Sequence, residues 1–221
     1  MTFSEPGESA ARAERLIDAA RDLATESGSA AFTVADVARR ARASLKGFYG
    51  CFPGKDDLLL ALLAEDSRVG ATLVAEQVAA HDDPVDRLRA YVDALFALVA
   101  QPGALGYAGV LVREHRRLGE QRPDDLRAAL APLVDLLATE LAEAAAAGRA
   151  SLTDPRRDAE TVFELLLTGV LDVTLGRREP SDEAAHLWRL CWRGLRGDGS
   201  ATEDFVPDAE QRQPDSIQGG P

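Results

Sequence analysis

The sequence contains few of the residues that catalyse reactions or bind metals. Its 221 residues include two cysteines, Cys51 and Cys191, and three histidines, His81, His115 and His186. The cysteines are far apart and have no C-x-x-C spacing, which argues against a thiolate metal site and is typical of a reduced protein. No H-x-x-E-H, G-x-S-x-G or phosphate-loop motif occurs. We therefore expect a non-enzymatic protein without a metal or cofactor.

Long apolar runs are also missing. The most apolar stretch, Val162 to Leu175, is interrupted by Glu164 and Asp172 and is shorter than a bilayer requires. Residues 1–11 contain two acidic residues and no apolar run, so no signal peptide is expected. These absences predict a cytoplasmic protein with no membrane partner.

Aromatic residues make up only 5 % of the chain, and runs of β-branched residues are scarce. Alanine, leucine and arginine are abundant instead, and 46 % of the residues are hydrophobic. This composition favours helices, and the length suffices for one or two domains with a sizeable core. We therefore predict an all-α fold.

An overall excess of basic residues is missing too, because the net charge is -12. The charge is unevenly distributed. Residues 1–62 contain 8 basic and 9 acidic residues, whereas residues 63–221 contain 17 basic and 28 acidic residues. Between Val37 and Lys55 there are five basic residues and no acidic residue. A local basic segment is what phosphate binding requires, so the acidic total does not exclude a nucleic-acid binder.

The segment from Thr33 to Leu58 contains the most informative pattern. Thr33 and Asp36 have the spacing of a capping box, and an apolar helical face follows them. Ser44 is placed to cap a second short helix, whose inner and outer sides we predict as follows: Leu45, Phe48 and Phe52 inside, Lys46, Gly47 and Gly50 outside. Two short helices joined by a tight turn predict a DNA-binding helix-turn-helix.

At these residues the sequence resembles the tetracycline-repressor (TetR/AcrR) family of bacterial transcription regulators. Eleven residues keep the type and spacing of the family pattern: Thr33, Val37, Ala38, Ala41, Ser44, Gly47, Phe48, Tyr49, Phe52, Lys55 and Leu58. Cys51 departs from the usual His or Tyr. Arg42 stands where the family usually has a glycine that permits a positive φ, so the turn geometry at Arg42 is an open question.

The resemblance implies an N-terminal three-helix helix-turn-helix domain and a larger helical domain for ligand binding and dimerisation, with about nine helices in all. Periodicity and turn residues predict helices over residues 11–27, 55–80, 84–100, 104–120, 124–147, 155–176 and 181–195, in addition to the two short ones. The expected division is a disordered arm (1–10), the DNA-binding domain (11–54), the effector and dimerisation domain (55–196) and a disordered tail (197–221).

The predicted DNA-binding residues follow from the helix positions and the family pattern: Thr33, Arg42, Ser44, Lys46, Gly47, Tyr49 and Lys55. A helix N-terminus suits a phosphate, so Thr33 and Lys55 are assigned to the DNA backbone, together with the hydroxyl of Tyr49. Lys46 lies at the start of the recognition helix, and it either reads a guanine edge or holds a phosphate.

The larger domain has less specific signals. An effector pocket between its helices would be lined mainly by apolar side chains, and the predicted set is Phe96, Tyr107, Leu111, His115, Leu137, Phe163 and Leu167. The segment from Val162 to Leu175 is apolar on more faces than one domain requires, which indicates a partner surface. The predicted homodimer interface contains Val170, Leu171, Trp188 and Trp192.

These predictions combine into one function. We expect a regulator, in this family commonly a repressor, that binds a palindromic double-stranded operator and responds to a small hydrophobic effector. The alternatives are an enzyme on a helical scaffold, which has no motif in its favour, and a helical adaptor that has lost DNA binding. The intact set of Thr33, Gly47, Tyr49 and Lys55 opposes the adaptor.

Overall fold

The computed structural model describes residues 6–196, which form nine α-helices and no strand. The helices are α1 Pro6–Ser27, α2 Val34–Arg40, α3 Leu45–Tyr49, α4 Lys55–Val78, α5 Pro84–Ala100, α6 Ala104–Gln121, α7 Pro123–Ala146, α8 Pro155–Thr174 and α9 Pro180–Arg196. The predicted all-α fold is confirmed for this part of the chain.

The largest difference from the predicted helices is at the start of α1. The helix begins at Pro6 rather than at residue 11, so residues 6–10 of the predicted arm are helical. Proline is well suited to a first helical turn, and Glu8 in that turn interacts favourably with the helix dipole. Residues 1–5 of the arm and the predicted tail, 197–221, lie outside the described residues.

Two hydrophobic cores form around α4, which contributes to both of them. Its first half packs Leu58 and Leu62 against α1, α2 and α3, and Phe48 of α3 is fully buried there. Its second half packs Val74 and Val78 against α5, α7 and α8. The long helix therefore connects the N-terminal helices mechanically to the rest of the chain.

The first core also includes residues from later in the sequence. Leu118 of α6 and Leu126 of α7 are buried among the side chains of the N-terminal helices. The N-terminal core therefore includes side chains of α6 and α7 as well as of α4. Within residues 6–196, no single helix is long and apolar enough to cross a membrane; α5 and α6 have the required length and composition only as a pair, and that pair is bent by 113°.

Candidate DNA-binding face and effector cavity

The N-terminus of α2 is closed by the predicted capping box. The Thr33 hydroxyl accepts a hydrogen bond from the Asp36 backbone N–H at 3.2 Å, and the Thr33 N–H donates to the Asp36 carboxylate at 2.9 Å. Hydrogen bonds from Thr33 and from Arg39 lower the pKa of Asp36 to about 2. An anionic carboxylate therefore already occupies part of the helix terminus that the sequence assigned to a DNA phosphate.

The turn after α2 keeps the geometry that glycine usually provides. Arg42 has a φ of 53°, the one positive φ outside glycine in residues 6–196. The Ala43 N–H bonds to the Ala38 carbonyl at 2.8 Å and the Arg42 N–H to the Arg39 carbonyl at 3.2 Å, which is a Schellman motif. The tight turn is therefore made by hydrogen bonding, and Arg42 adopts the left-handed conformation despite its Cβ.

The recognition helix, α3, is one turn long. Ser44 caps it by accepting from the Gly47 N–H at 3.0 Å, and Phe48 and Phe52 are buried as predicted. Leu45 was assigned to the inner side, and this is wrong: it is 51 % exposed. A helix this short lacks a full second turn to bury an additional residue against α1. Its exposed side presents Leu45 and Tyr49, which is 58 % exposed.

Gly47 does not lie on an open outer surface. A Cβ added there would be 3.5 Å from Cδ of Arg12 in α1 and 3.3 Å from the Ser44 hydroxyl. Sequence analysis did not identify Arg12, because its approach to α3 depends on how α1 packs rather than on any local motif. Arg12 pairs with Glu8 at 3.1 Å and lies beside the recognition helix.

Three of the five basic residues in this segment are already paired within the protein. Arg39 pairs with Asp36 at 2.7 Å, and Arg40 pairs with Glu26 of α1. Lys55 donates to the Ala30 carbonyl, and its ammonium is 4.8 Å from the centre of the Phe32 ring. Its pKa is lowered by burial.

The other two basic residues of this segment, Arg42 and Lys46, are not paired within residues 6–196. Their side chains are exposed, and they form no ion pair or side-chain hydrogen bond with any other residue in 6–196. Exposed cations of this kind remain available to a phosphate or a base edge without breaking an existing contact. The two of them lie at the turn and at the start of α3, on either side of Ser44.

The predicted effector residues divide into two groups. Leu111, His115, Phe163 and Leu167 line a cavity of about 150 Å³ between α4, α5, α6, α7 and α8. The other three do not line it: Phe96 and Leu137 belong to the buried core, and the Tyr107 hydroxyl donates to Asp66. Asp66 itself lies at the cavity wall and is bound by Arg21 of α1 at 3.1 Å.

Besides Asp66, the wall of this inner cavity contains two polar residues, Ser67 and His115, among apolar ones. Ser67 is 2 % exposed, and its Oγ has no hydrogen-bond partner in the described part of the chain. The Nε2 of His115 is also buried without a hydrogen bond. It lies 3.3 Å from a carboxylate oxygen of Glu164, but the two atoms lack the alignment of a hydrogen bond. Sequence analysis missed Ser67, since a serine within a helix gives no signal of its surroundings.

A wider cleft of about 840 Å³ adjoins the inner cavity. The two share part of their walls, including His115, Phe163 and Leu167. The cleft is open to solvent and carries charged side chains such as Arg116 and Glu160. A molecule in the inner cavity could therefore enter from the cleft past His115.

The predicted dimer residues are on α8 and α9, but not all of them face outward. Val170 is 3 % exposed and lines the inner cavity, so its side chain is turned away from any partner. Leu171 is half-buried, and Trp188 and Trp192 stack on each other with centroids 5.4 Å apart. The exposed apolar side chains of α8 and α9 are Leu165 and Leu190, at 40 % and 54 %.

Comparison with known proteins agrees with this architecture. The chain is similar to RolR in complex with resorcinol, with a TM-score of 0.67 and 17 % identity over 86 % of this chain and 90 % of that one. It is similar to FadR from Bacillus subtilis in complex with stearoyl-CoA (TM-score 0.68, 19 % identity, 82 % and 98 % covered). It is also similar to a putative TetR-family regulator from Rhodococcus sp. (TM-score 0.67 and 22 % identity over 84 % of this chain and 99 % of that one).

No curated protein sequence matches the chain. Residues 16–62 match the family model for bacterial regulatory proteins of the tetR family. This range contains α2 and α3 completely, with the cap at Thr33, the turn at Arg42 and the cap at Ser44. The match to the tetR family of bacterial regulatory proteins therefore covers the helix-turn-helix, and residues 6–196 have the fold of solved TetR-family regulators.

Proposed function

We propose that the protein is a transcriptional repressor that binds a palindromic operator as a homodimer and is released from it by a small apolar effector. The observation that carries the DNA-binding part is the exposed side of α3. It presents Leu45, Tyr49 and the unpaired cation Lys46, and a second unpaired cation, Arg42, lies in the turn just before it. Folding alone does not account for an apolar pair that is more than half exposed on a one-turn helix.

Each of these residues has a role that its chemistry fits. Lys46 reaches a guanine edge or a phosphate, and Leu45 contacts the methyl group of a thymine. Arg42 and the Tyr49 hydroxyl bind backbone phosphates, which position the protein without reading sequence. Ser44 caps the start of the recognition helix at 3.0 Å, and Gly47, which has no side chain, leaves room for Arg12 beside the helix.

Lys55 and Thr33 are proposed to support the phosphate contacts. An ammonium has three donors and Lys55 uses one for the Ala30 carbonyl, so two remain for a phosphate. Lys55→Ala should therefore weaken specific and random duplexes alike and should reduce the magnitude of the salt slope by about 0.9 for each phosphate that is no longer neutralised. An unchanged salt slope would limit Lys55 to holding the loop before α2.

The dimer is proposed to form through α8 and α9. Leu165 and Leu190 are exposed there next to the half-buried Leu171 and the stacked Trp188 and Trp192. A two-fold axis at this surface would place two copies of α3 on the same side of a duplex. Recognition helices of such dimers enter successive major grooves about 34 Å apart.

Effector control is supported by the contacts of α6. This helix supplies Leu111 and His115 to the inner cavity, and it also contacts the N-terminal helices. Arg113 donates to the Gly28 carbonyl at the end of α1 at 2.7 Å, and Arg117 pairs with Asp56 at the start of α4 at 2.6 Å. A ligand that displaces α6 would thus change the position of the helix-turn-helix.

Two proteins with this fold support the presence of an effector, since RolR holds resorcinol and FadR from Bacillus subtilis holds stearoyl-CoA. The coupling must be reciprocal: operator DNA weakens effector binding by the same factor by which effector weakens DNA binding. Equal effector affinities with and without operator would contradict the proposed release.

The proposed function can be tested without knowing the operator. The full chain is used to select duplexes from a randomised pool at low salt, and the bound sequences are determined. We expect an enriched palindrome whose half-sites are centred about 10–10.5 base pairs, or a multiple of that distance, apart. No enrichment and no retention of any duplex would instead favour a helical adaptor that does not bind DNA.

A further inference from the structure

The inner cavity has features that indicate what kind of molecule it accepts, and these rest on the proposed role of the cavity as an effector site. Its volume is about 150 Å³. An apolar cavity of this volume accommodates a molecule of about the size of benzene. A long flexible chain is too large for this volume.

Charge is the second feature. The one carboxylate at the inner wall, Asp66, already binds Arg21 at 3.1 Å and accepts from the Tyr107 hydroxyl. Among residues 6–196, the other side chains that line the cavity are uncharged apart from the imidazole of His115, which lies 3.3 Å from Glu164. Because burying a charge without a partner is very unfavourable, the occupant must be uncharged.

The polar atoms are the third feature. The Ser67 Oγ and the His115 Nε2 are both buried, both belong to residues that line the cavity, and both lack a hydrogen-bond partner in the described residues. Most buried polar side-chain atoms in folded proteins are hydrogen-bonded, and an unpaired one is destabilising. A hydroxyl or carbonyl on the occupant would pair with them.

Gly70 is the fourth feature. It lies in the middle of α4, where glycine is destabilising relative to alanine, and it lines the cavity. A Cβ there would meet only Leu133 and Leu98, each at 3.9 Å, which is an ordinary contact. Packing therefore does not require the glycine, but its missing side chain keeps space in the cavity.

We propose that the inner cavity binds an uncharged molecule of about one six-membered ring that carries a hydroxyl or carbonyl group, with Ser67 and, at the entrance, His115 as its hydrogen-bond partners. The ring occupies the apolar space next to Gly70. The polar substituent is what distinguishes this ligand from a plain hydrocarbon of the same shape.

Phenol and benzene are suitable probes, because they differ by one hydroxyl. Binding of each to the full chain is measured by calorimetry without DNA. We expect phenol to bind at least about tenfold more tightly than benzene, since the unpaired polar atoms of the site disfavour a ligand that lacks the group. Equal affinities, tighter binding of benzene, or no binding of either molecule would overturn the proposal.

Three variants locate the site. Ser67→Ala should lose most of the preference for phenol and keep benzene binding, whereas Ser181→Ala, a change at an exposed serine, should leave both unchanged. Gly70→Leu should abolish binding of both molecules by filling the cavity, with the helix content of each variant checked by circular dichroism. A preference for phenol that persists in Ser67→Ala would show that Ser67 does not read the hydroxyl.

Operator binding is then measured separately in the presence of phenol. If phenol binds with the expected preference but leaves DNA affinity unchanged, the proposed ligand class is supported and the proposed release from DNA by an effector is contradicted. If some other compound releases the protein from DNA while phenol does not bind, effector release is supported and the proposed ligand class is wrong.

Discussion

The recognition helix and the inner cavity both contain polar groups without a protein partner, but in opposite surroundings. Arg42 and Lys46 are exposed, so water solvates them and their unpaired state costs nothing. The Ser67 Oγ and the His115 Nε2 are buried at a largely apolar wall, where an unpaired polar atom costs about 1–3 kcal/mol. Exposed unpaired cations occur in any soluble protein, whereas buried unpaired polar atoms require an explanation. Burial therefore decides which unpaired group points to a ligand.

The largest expected effect comes from breaking the proposed dimer, because both DNA contacts and their spacing depend on it. Leu190→Arg places a charge on an exposed apolar position of α9. We expect monomers in sedimentation and a loss of affinity for a selected palindrome of about a hundredfold or more, since the two half-sites then bind independently.

Leu105→Arg is the matched control, because Leu105 is a similarly exposed leucine, at 41 %, on α6. It should leave the dimer and the DNA affinity unchanged. A wild-type protein that is already monomeric at micromolar concentration would contradict the assignment of α8 and α9 to the interface.

A second change tests the cavity through stability. Gly70→Ala should raise the free energy of unfolding by about 1 kcal/mol, because it improves helix propensity without a clash. Gly169→Ala should do the opposite, since a Cβ there would be 2.5 Å from Leu187 and 3.0 Å from Phe96. Urea unfolding of both variants measures the contrast. A destabilised Gly70→Ala would mean that the helix has another requirement for glycine.

A third change separates folding from DNA binding at the turn. Arg42→Gly relieves the left-handed strain of a residue with a Cβ, and we expect a gain in stability of about 0.5–1 kcal/mol. It also removes an unpaired cation, so DNA affinity should fall while thermal stability rises. If both quantities fall together, the guanidinium supports the fold rather than the DNA contact.

The smallest expected effect concerns pH. The pKa of Asp36 is lowered from 3.8 to about 2 by its hydrogen bonds with Thr33 and with Arg39. Its contribution to stability is therefore fully present above the unfolded value and is lost as the pH falls through the folded one. The difference in unfolding free energy between wild type and Asp36→Asn should shrink over that interval. A constant difference would show that the carboxylate charge does not matter there.

Local features of the fold could be predicted from the sequence. The capping box at Thr33, the cap at Ser44 and the helix starts at Pro84 and Pro155 depend on residues only a few positions apart. Apart from the start of α1, the predicted bounds of the long helices agree with the structure to within two residues. The same short-range pattern carried the resemblance that the family model confirms over residues 16–62.

Features that depend on packing between distant segments could not be predicted. Leu45 was placed inside because its spacing matches Phe48, yet it is 51 % exposed. Val170 was assigned to the interface, but the fold turns it towards the inner cavity. Tyr107 was assigned to the effector, whereas its hydroxyl binds Asp66. The DNA and ligand contacts themselves stay predictions.

The most direct test compares an unpaired cation with a paired one on the same DNA-binding face. Lys46 has no partner in residues 6–196, whereas Arg39 is bound to Asp36 at 2.7 Å although its side chain is 77 % exposed. Affinity for a selected palindrome is measured for wild type, Lys46→Ala and Arg39→Ala at two salt concentrations. We predict that Lys46→Ala weakens binding by about tenfold or more per half-site, as removal of one base-edge or phosphate interaction requires, while Arg39→Ala changes it little. Equal decreases in the two variants, or a larger decrease for Arg39→Ala, would contradict the account.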